Sequence, residues 1–291
     1  MIELTATKVV TSGLMFPEGP IALDDGTVLV TEIEGNSLAR VSPDGSIRRY
    51  PCDPGPNGQA VGPDGAVYVC TDGGLAFMTQ DGIRFPHALR DGWTGGNIQR
   101  LDLASGAIET IFTQVDGQPI LSLNDAVFDT SGGAYVVDTA KGCLYYMDPI
   151  ARTIRVAETG LEAPNGFGLS PDGKRAYGSE TYSGRLWVWD VTGAGELANR
   201  TLHYQADGHG WDGLAVDGAG NVCGSNLVKS GISVISPTGE LIGLIKTEEY
   251  DSFVTNICFA DDGTAFICSS GRGKLYAIAW PWPPLKLNYT A

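Results

Sequence analysis

Basic residues are scarce in this chain: 18% of its 291 residues are charged, and 19 lysines and arginines stand against 34 aspartates and glutamates. The formal net charge is −15, and no clustered Lys/Arg stripe offsets it, so a phosphate backbone or an anionic membrane surface is disfavoured as a partner. The acidity itself is read as solubility. Three histidines and six scattered cysteines, Cys52, Cys70, Cys143, Cys223, Cys258 and Cys268, form no CxxC pair and no Cys/His zinc spacing, and the cysteines are expected as buried free thiols. There is no G-x-S-x-G elbow and no workable Ser/His/Asp set, which argues against a covalent acyl-enzyme. No apolar run approaches the roughly 20 residues of a membrane helix. Met1 to Val10 has no basic stretch followed by an apolar one, as a secretory signal would, so a reduced, cytoplasmic compartment is the expectation. Helical periodicity is never sustained over three turns, and almost no helix is expected.

What the chain does have is glycine, 40 residues, with 16 prolines and 43% hydrophobic residues, the composition of many short strands joined by tight turns around a sizeable core. An internal repeat orders them. Segments starting at Pro17, Asn57, Asn124, Asn165, Asp212 and Thr255 share one plan: a polar residue, a small residue, an apolar run, an Asp-Gly type of turn, and a second apolar run. Asp-Gly between alternating apolar runs marks a hairpin, since glycine takes the positive φ of the tight turn. Two further strands follow each hairpin, which makes a four-stranded propeller blade. The leading polar positions, 18, 57, 124, 165, 212 and 255, are spaced by 39, 67, 41, 47 and 43 residues, close to a blade each except for the second interval. The fold class is therefore all-β, a six-bladed β-propeller formed by residues 1–291 as one domain. Ala6 to Thr11 supplies an N-terminal strand that completes the sixth blade and closes the ring, removing the exposed edge. The long interval holds an insertion, Phe77 to Asn97, expected to overhang the same mouth at which the first strands begin. Trp280 to Pro284 is too proline-rich for a central strand and is expected as an extended wrap on the surface.

In a propeller the first strand of each blade lines the central axis. Glu18, Asn57, Asn124, Asn165, Asp212 and Thr255 should therefore form a ring at one mouth of the channel. Six oxygen-bearing side chains, two of them acidic, are costly to confine unless a cation compensates them. Hard oxygen donors favour Ca²⁺, Mg²⁺ or Mn²⁺ over structural zinc. The same residues also suit strand caps and contacts with channel water, and spacing does not separate these readings.

Taken together, Phe16-Pro17-Glu18-Gly19-Pro20, Asn124-Asp125, Pro164-Asn165-Gly166, Asp212-Gly213 and Val254-Thr255-Asn256 resemble, in order and spacing, the senescence marker protein-30, gluconolactonase and luciferin-regenerating-enzyme family. The resemblance spans essentially the whole chain. It implies a six-bladed propeller in which Glu18, Asn165 and Asp212 hold one divalent metal ion, Ca²⁺ foremost with Mg²⁺, Mn²⁺, Zn²⁺ or Fe²⁺ as alternatives, and in which Asn124 contacts substrate or a water. Two departures stand out. The sugar-lactone members carry an arginine where this chain has Ser122, and the proline usual before the metal-binding aspartate is replaced by Trp211. Loss of a fork-shaped guanidinium disfavours a polyhydroxylated lactone.

The expected function is metal-dependent hydrolysis of a lactone or related cyclic ester by an activated water, with Asp212 and Asn124 as the catalytic residues. Asn57, Asn124, Ser122, Asp138, Trp93 and Trp211 make up the expected substrate-binding set, and His87 and His209 are further candidates to reach it from loops. Asp72 and Glu180 are expected on the solvated rim. The alternatives are phosphotriester hydrolysis, a metal-assisted cyclase or lyase reaction, and a non-enzymatic calcium-binding propeller, since fold alone does not fix chemistry. The expected partner is a small molecule, with no nucleic acid and no membrane, and the chain is expected as a monomer or weak homo-oligomer.

Overall fold

Asp-Gly turns close the repeated hairpins, and the sheets they generate radiate from one axis. In the computed structural model, which describes residues 1–208 and 210–290, six sheets, each with four antiparallel strands, form the blades of a β-propeller. Their innermost strands are Pro17–Ala22, Pro56–Val61, Leu123–Phe128, Pro164–Leu169, Trp211–Val216 and Val254–Phe259. No helix occurs among the described residues, and so none is long and apolar enough to cross a membrane. Six buried apolar clusters occupy the six seams between adjacent blades. In the seam of blades 4 and 5, for example, Tyr177 and Leu186 meet Trp211, Leu214 and Val222. The core is thus a ring of inter-blade contacts, which leaves the axis itself free for polar side chains.

The ring closes as the sequence implies, with one addition. Lys8–Ser12 pairs antiparallel with Lys274–Ala279 and is the outermost strand of blade 6. Just before it, Ile2–Ala6 runs parallel to Leu241–Thr247 as a fifth strand of blade 5. Ala6 is fully buried in the seam of these two blades, so the N-terminal stretch staples both partners of the closing seam.

The insertion in blade 2 is a hairpin, Leu75–Gln80 and Ile83–Leu89. It crosses blade 1 and reaches blade 6: the Arg84 N–H donates to the Gly271 carbonyl at 2.8 Å, and Arg272 Nη1 donates to the Gly82 carbonyl at 3.1 Å. The C-terminal segment forms no strand. Trp280 packs on Phe259 with ring centroids 4.9 Å apart, and the chain then runs over the far mouth of the channel. There Leu285 to Tyr289 close an axial cavity of about 150 Å³.

Candidate functional site

Each innermost strand slips out of register with its neighbour at the same place. The irregularity lies between Glu18 and Ile21, Pro56 and Gln59, Leu123 and Ala126, Pro164 and Phe167, Trp211 and Leu214, and Val254 and Asn256. A bulge bends its strand and re-aims the local side chains, and here it recurs at every leading polar residue. The small residue that follows has its own reason. A Cβ on Gly58 would stand 2.2 Å from the Asn124 carbonyl oxygen, and one on Gly213 would stand 2.3 Å from Asn256 Nδ2; adjacent inner strands approach this closely only without a side chain. Blades 3 and 6 carry Asp125 and Asn256 at that position, and both are buried. These two residues form a second polar tier that the spacing of leading residues does not reveal, although N-D and T-N in place of polar-Gly mark it in the repeat.

Three carboxyl groups influence one another here. Glu18, 4% exposed, accepts from the Gly19 N–H at 3.0 Å and from Asn256 Nδ2 at 3.1 Å. Burial raises its pKa above the usual carboxylate range against the opposing hydrogen bonds of Thr255, Gly19 and Asn256. Asp212 is raised well above its ordinary value by burial, then by the charges of Glu18 and Asp125, while the Asn165 side chain and the Gly213 N–H oppose the rise. Asp125 is pushed up to about 8 by burial and by Glu18, despite backbone N–H groups of Phe167, Ala126 and Leu214. The groups acting on these carboxyls include no lysine or arginine. Beside them Asn165 donates through Nδ2 to Thr181 Oγ1 at 3.3 Å, but its Oδ1 is buried without any partner. An orphaned amide oxygen next to uncompensated carboxylates is the donor chemistry that a hard divalent cation fits. Among the described residues no three His, Cys, Asp or Glu side chains gather as a metal group, so the fit depends on that amide.

With this geometry in place, comparison with known proteins is decisive for kinship. The family model described as the SMP-30/gluconolactonase/LRE-like region matches residues 16–271. The chain belongs to this family. A gluconolactonase of Zymomonas mobilis is 26% identical, over 91% of this chain and 79% of its own length. Among solved structures, a gluconolactonase from Xanthomonas campestris superposes with a TM-score of 0.75 at 20% identity, covering 94% of this chain and 89% of that one. Regucalcin from Agrobacterium tumefaciens, a calcium-binding protein, superposes with a TM-score of 0.73 at 14% identity over 99% of this chain and all of that one (100%). These two likenesses concern the fold.

In this SMP-30/gluconolactonase-like chain the remaining candidates separate. Asn57 is buried in the ring and its side chain bears on the Asp72 carboxyl; Asn124 is half-buried there. Thr255 hydrogen-bonds Ser270, which in turn donates to the Pro17 carbonyl. Trp93 is half-buried and donates Nε1 to the Asp72 carbonyl at 2.7 Å, which fixes it beside the mouth. Asp72 is 1% exposed rather than on a solvated rim, and Glu180 is likewise buried. Ser122 is half-buried, with its N–H given to Asp138 at 3.2 Å and its carbonyl taken by Thr139 at 2.9 Å. Asp138 itself is turned to another use: its carboxylate accepts from the N–H groups of Leu121, Ser122 and Lys141 and from the Tyr145 hydroxyl, which occupies it entirely. Trp211 is 1% exposed in the seam of blades 4 and 5, with Nε1 donating to the Gly184 carbonyl at 2.8 Å. Its bulk fills the space above Gly224, where a Cβ would lie 2.7 Å from its ring. His87 is exposed on the hairpin, and His209 lies outside the described residues.

Proposed function

We propose that this protein hydrolyses a lactone or related cyclic ester at the ringed mouth, with a divalent cation held by Glu18, Asn165 and Asp212. The observation that carries the reading is the partnerless Asn165 Oδ1 beside the buried Glu18 and half-buried Asp212 carboxyls. The naming of relatives as gluconolactonase and pentonolactonase supports it. The cation, Ca²⁺ foremost, supplies a Lewis acid for the ester carbonyl.

The chain's own residues do the rest. Asp212 takes a proton from the attacking water as its oxygen joins the carbonyl carbon, and returns it to the ring oxygen when the C–O bond breaks. Asn124 and Asn57 orient the lactone by their amides, and Asn256 steadies Glu18 through its 3.1 Å hydrogen bond. Trp93 and the hairpin beside it limit access of bulk water.

Calorimetric titration of Ca²⁺ into metal-stripped protein tests the ligand set. Glu18→Gln, Asn165→Ala and Asp212→Asn are each expected to weaken binding at least tenfold, about 1.4 kcal/mol, and to abolish lactone turnover followed by pH-stat. Wild-type affinity in any two of the three removes the assignment.

A further inference from the structure

The polar ring is overlooked by an aromatic wall that ester chemistry does not require. Phe16, two residues before Glu18, has its ring centroid 5.0 Å from Phe77 of the hairpin and 5.7 Å from Phe253, which stands two residues before Thr255. Phe85, on the second strand of the hairpin, lies parallel to Phe253 with centroids 6.2 Å apart and planes at 3°. Three blades thus contribute one apolar surface on the Glu18 side of the mouth. The hairpin is pinned rather than free: Arg84 pairs with Glu34 of blade 1 and bonds Gly271 of blade 6, while Arg272 holds the tip at Gly82. The Arg84 guanidinium lies 5.9 Å from the Phe77 ring centroid but is committed to Glu34, so the wall presents no free charge.

The rim continues in the same character. Met78 and Leu89 of the hairpin are 46% and 53% exposed, and Tyr250, just before Phe253, is 64% exposed. Across the mouth Tyr182 and Val228, in the turns next to Thr181 and Gly210, are 70% and 54% exposed. Apolar surface gathered around a site's entrance marks a place where something apolar is received. Its continuity with the ring decides what that is, because the wall packs on Phe16, which stands two residues before Glu18 on the same strand entry.

We infer that the substrate is a lactone bearing an apolar arm, and that Phe77, Phe85 and Met78 of the hairpin select it; the inference rests on the lactonase reading of the site. Polyhydroxylated lactones lack anything to place against this wall. A pentyl arm partly withdrawn from water is worth on the order of 10- to 100-fold in kcat/KM.

The test compares compounds that differ only in the arm. With Ca²⁺ present, δ-decalactone is expected to be hydrolysed with a kcat/KM on the order of 10- to 100-fold above δ-valerolactone, and glucono-δ-lactone no better than δ-valerolactone. The Phe77→Ser/Phe85→Ser variant is expected to lose most of that ratio, its kcat/KM for δ-decalactone falling toward that for δ-valerolactone. Met78→Ser, at an exposed position that leaves packing intact, is expected to lose part of it. Equal rates for the two δ-lactones in the wild type, or a ratio that survives both variants, would overturn the inference. If no lactone is turned over, the lactonase reading fails by itself, and binding still decides the arm: 2-pentylcyclohexanone should quench the part of the fluorescence that Trp93→Phe removes at lower concentration than cyclohexanone, and equal affinities would overturn it. A dimer in sedimentation that Met78→Ser splits, without any preference for the arm, would assign the rim to a second copy instead.

Discussion

Asp72 shows how far a single buried carboxyl shapes the behaviour of this mouth. It is 1% exposed, and one oxygen accepts the Gly74 N–H at 2.6 Å. Burial pushes it up to about 7, against the Gly74 N–H and the Asn57 side chain. Between its unfolded value of 3.8 and about 7, the folded carboxyl keeps a proton that the unfolded chain releases. Stability therefore falls as pH rises through that window, by about 1.4 kcal/mol per pH unit for the one proton. Asp72→Asn keeps the shape and cannot ionise. It is expected to exceed the wild type in stability at pH 7 and to lose the advantage near pH 4, in denaturant titrations of the metal-stripped protein. Parallel pH curves for the two proteins would show that Asp72 ionises freely in the fold. At this scale the sequence was informative where the residue type carried its own spacing: Glu18, Asn57, Asn124, Asn165, Asp212 and Thr255 all head innermost strands. It was silent where orientation decides. Asp138 and Trp211 sit at the right end of their strands, but one is consumed by three backbone N–H groups and a tyrosine and the other by an inter-blade seam. Neither fate leaves a trace in composition or period.

The innermost strands work as a unit because they approach without side chains at the second tier. Gly213 is the sharpest instance: its Cβ would lie 2.3 Å from Asn256 Nδ2 and 2.4 Å from Asn256 Cγ, so Gly213→Ala must drive Asn256 away from Glu18. A stability loss of about 1–3 kcal/mol from overpacking and the broken hydrogen bond is expected, together with weaker Ca²⁺ binding in calorimetry. Gly193→Ala serves as the comparison, since its Cβ meets only Glu196 side-chain carbons at 3.5 Å and 3.7 Å; its effect should stay within about 0.5 kcal/mol. A Gly213→Ala protein as stable and as tight for Ca²⁺ as the comparison would mean that Asn256 does not steady Glu18. The hairpin marks the limit of legibility for elements. The 67-residue interval announces an insertion, and its alternating apolar residues suit a hairpin. Its landing on blade 6 rather than on its own blade is set by Phe16, Phe253 and Gly271, contacts between segments far apart in sequence that no local pattern encodes. The same holds for Ile2–Ala6, which the repeat does not announce and which acquires its parallel partner only when the ring closes.

At the scale of the whole molecule, the two mouths of the channel are treated differently: one is ringed by polar groups under the hairpin, the other is crossed by the C-terminal strap. That strap ties blades that are not neighbours. Lys286 pairs with Asp24 of blade 1 and Asp261 of blade 6, Asn288 donates to the Phe128 carbonyl of blade 3 at 2.8 Å, and Tyr289 packs edge-on to Phe128 with centroids 5.9 Å apart. The lysine pairs are about half exposed and contribute little. The apolar contacts matter more: Leu285 rests on the seam of blades 4 and 5, and Tyr289 on those of blades 1, 2 and 3. Removing residues 285–291 deletes these two half-buried side chains and exposes the apolar walls beneath them, for a loss of about 2–4 kcal/mol. Because the strap's hydrogen bonds and ion pairs among the described residues go to Asp24, Asp261 and Phe128 at the far mouth, Ca²⁺ affinity in calorimetry is expected to be unchanged while the denaturation midpoint falls. High salt should leave that difference in place, since screening acts on the lysine pairs and not on the leucine and tyrosine contacts. An unchanged midpoint after truncation would reduce the strap to a passive cover. A collapse of Ca²⁺ affinity would instead show that the blades shift as a ring when one mouth is opened, and that the far end of the channel helps to set the geometry of the near one.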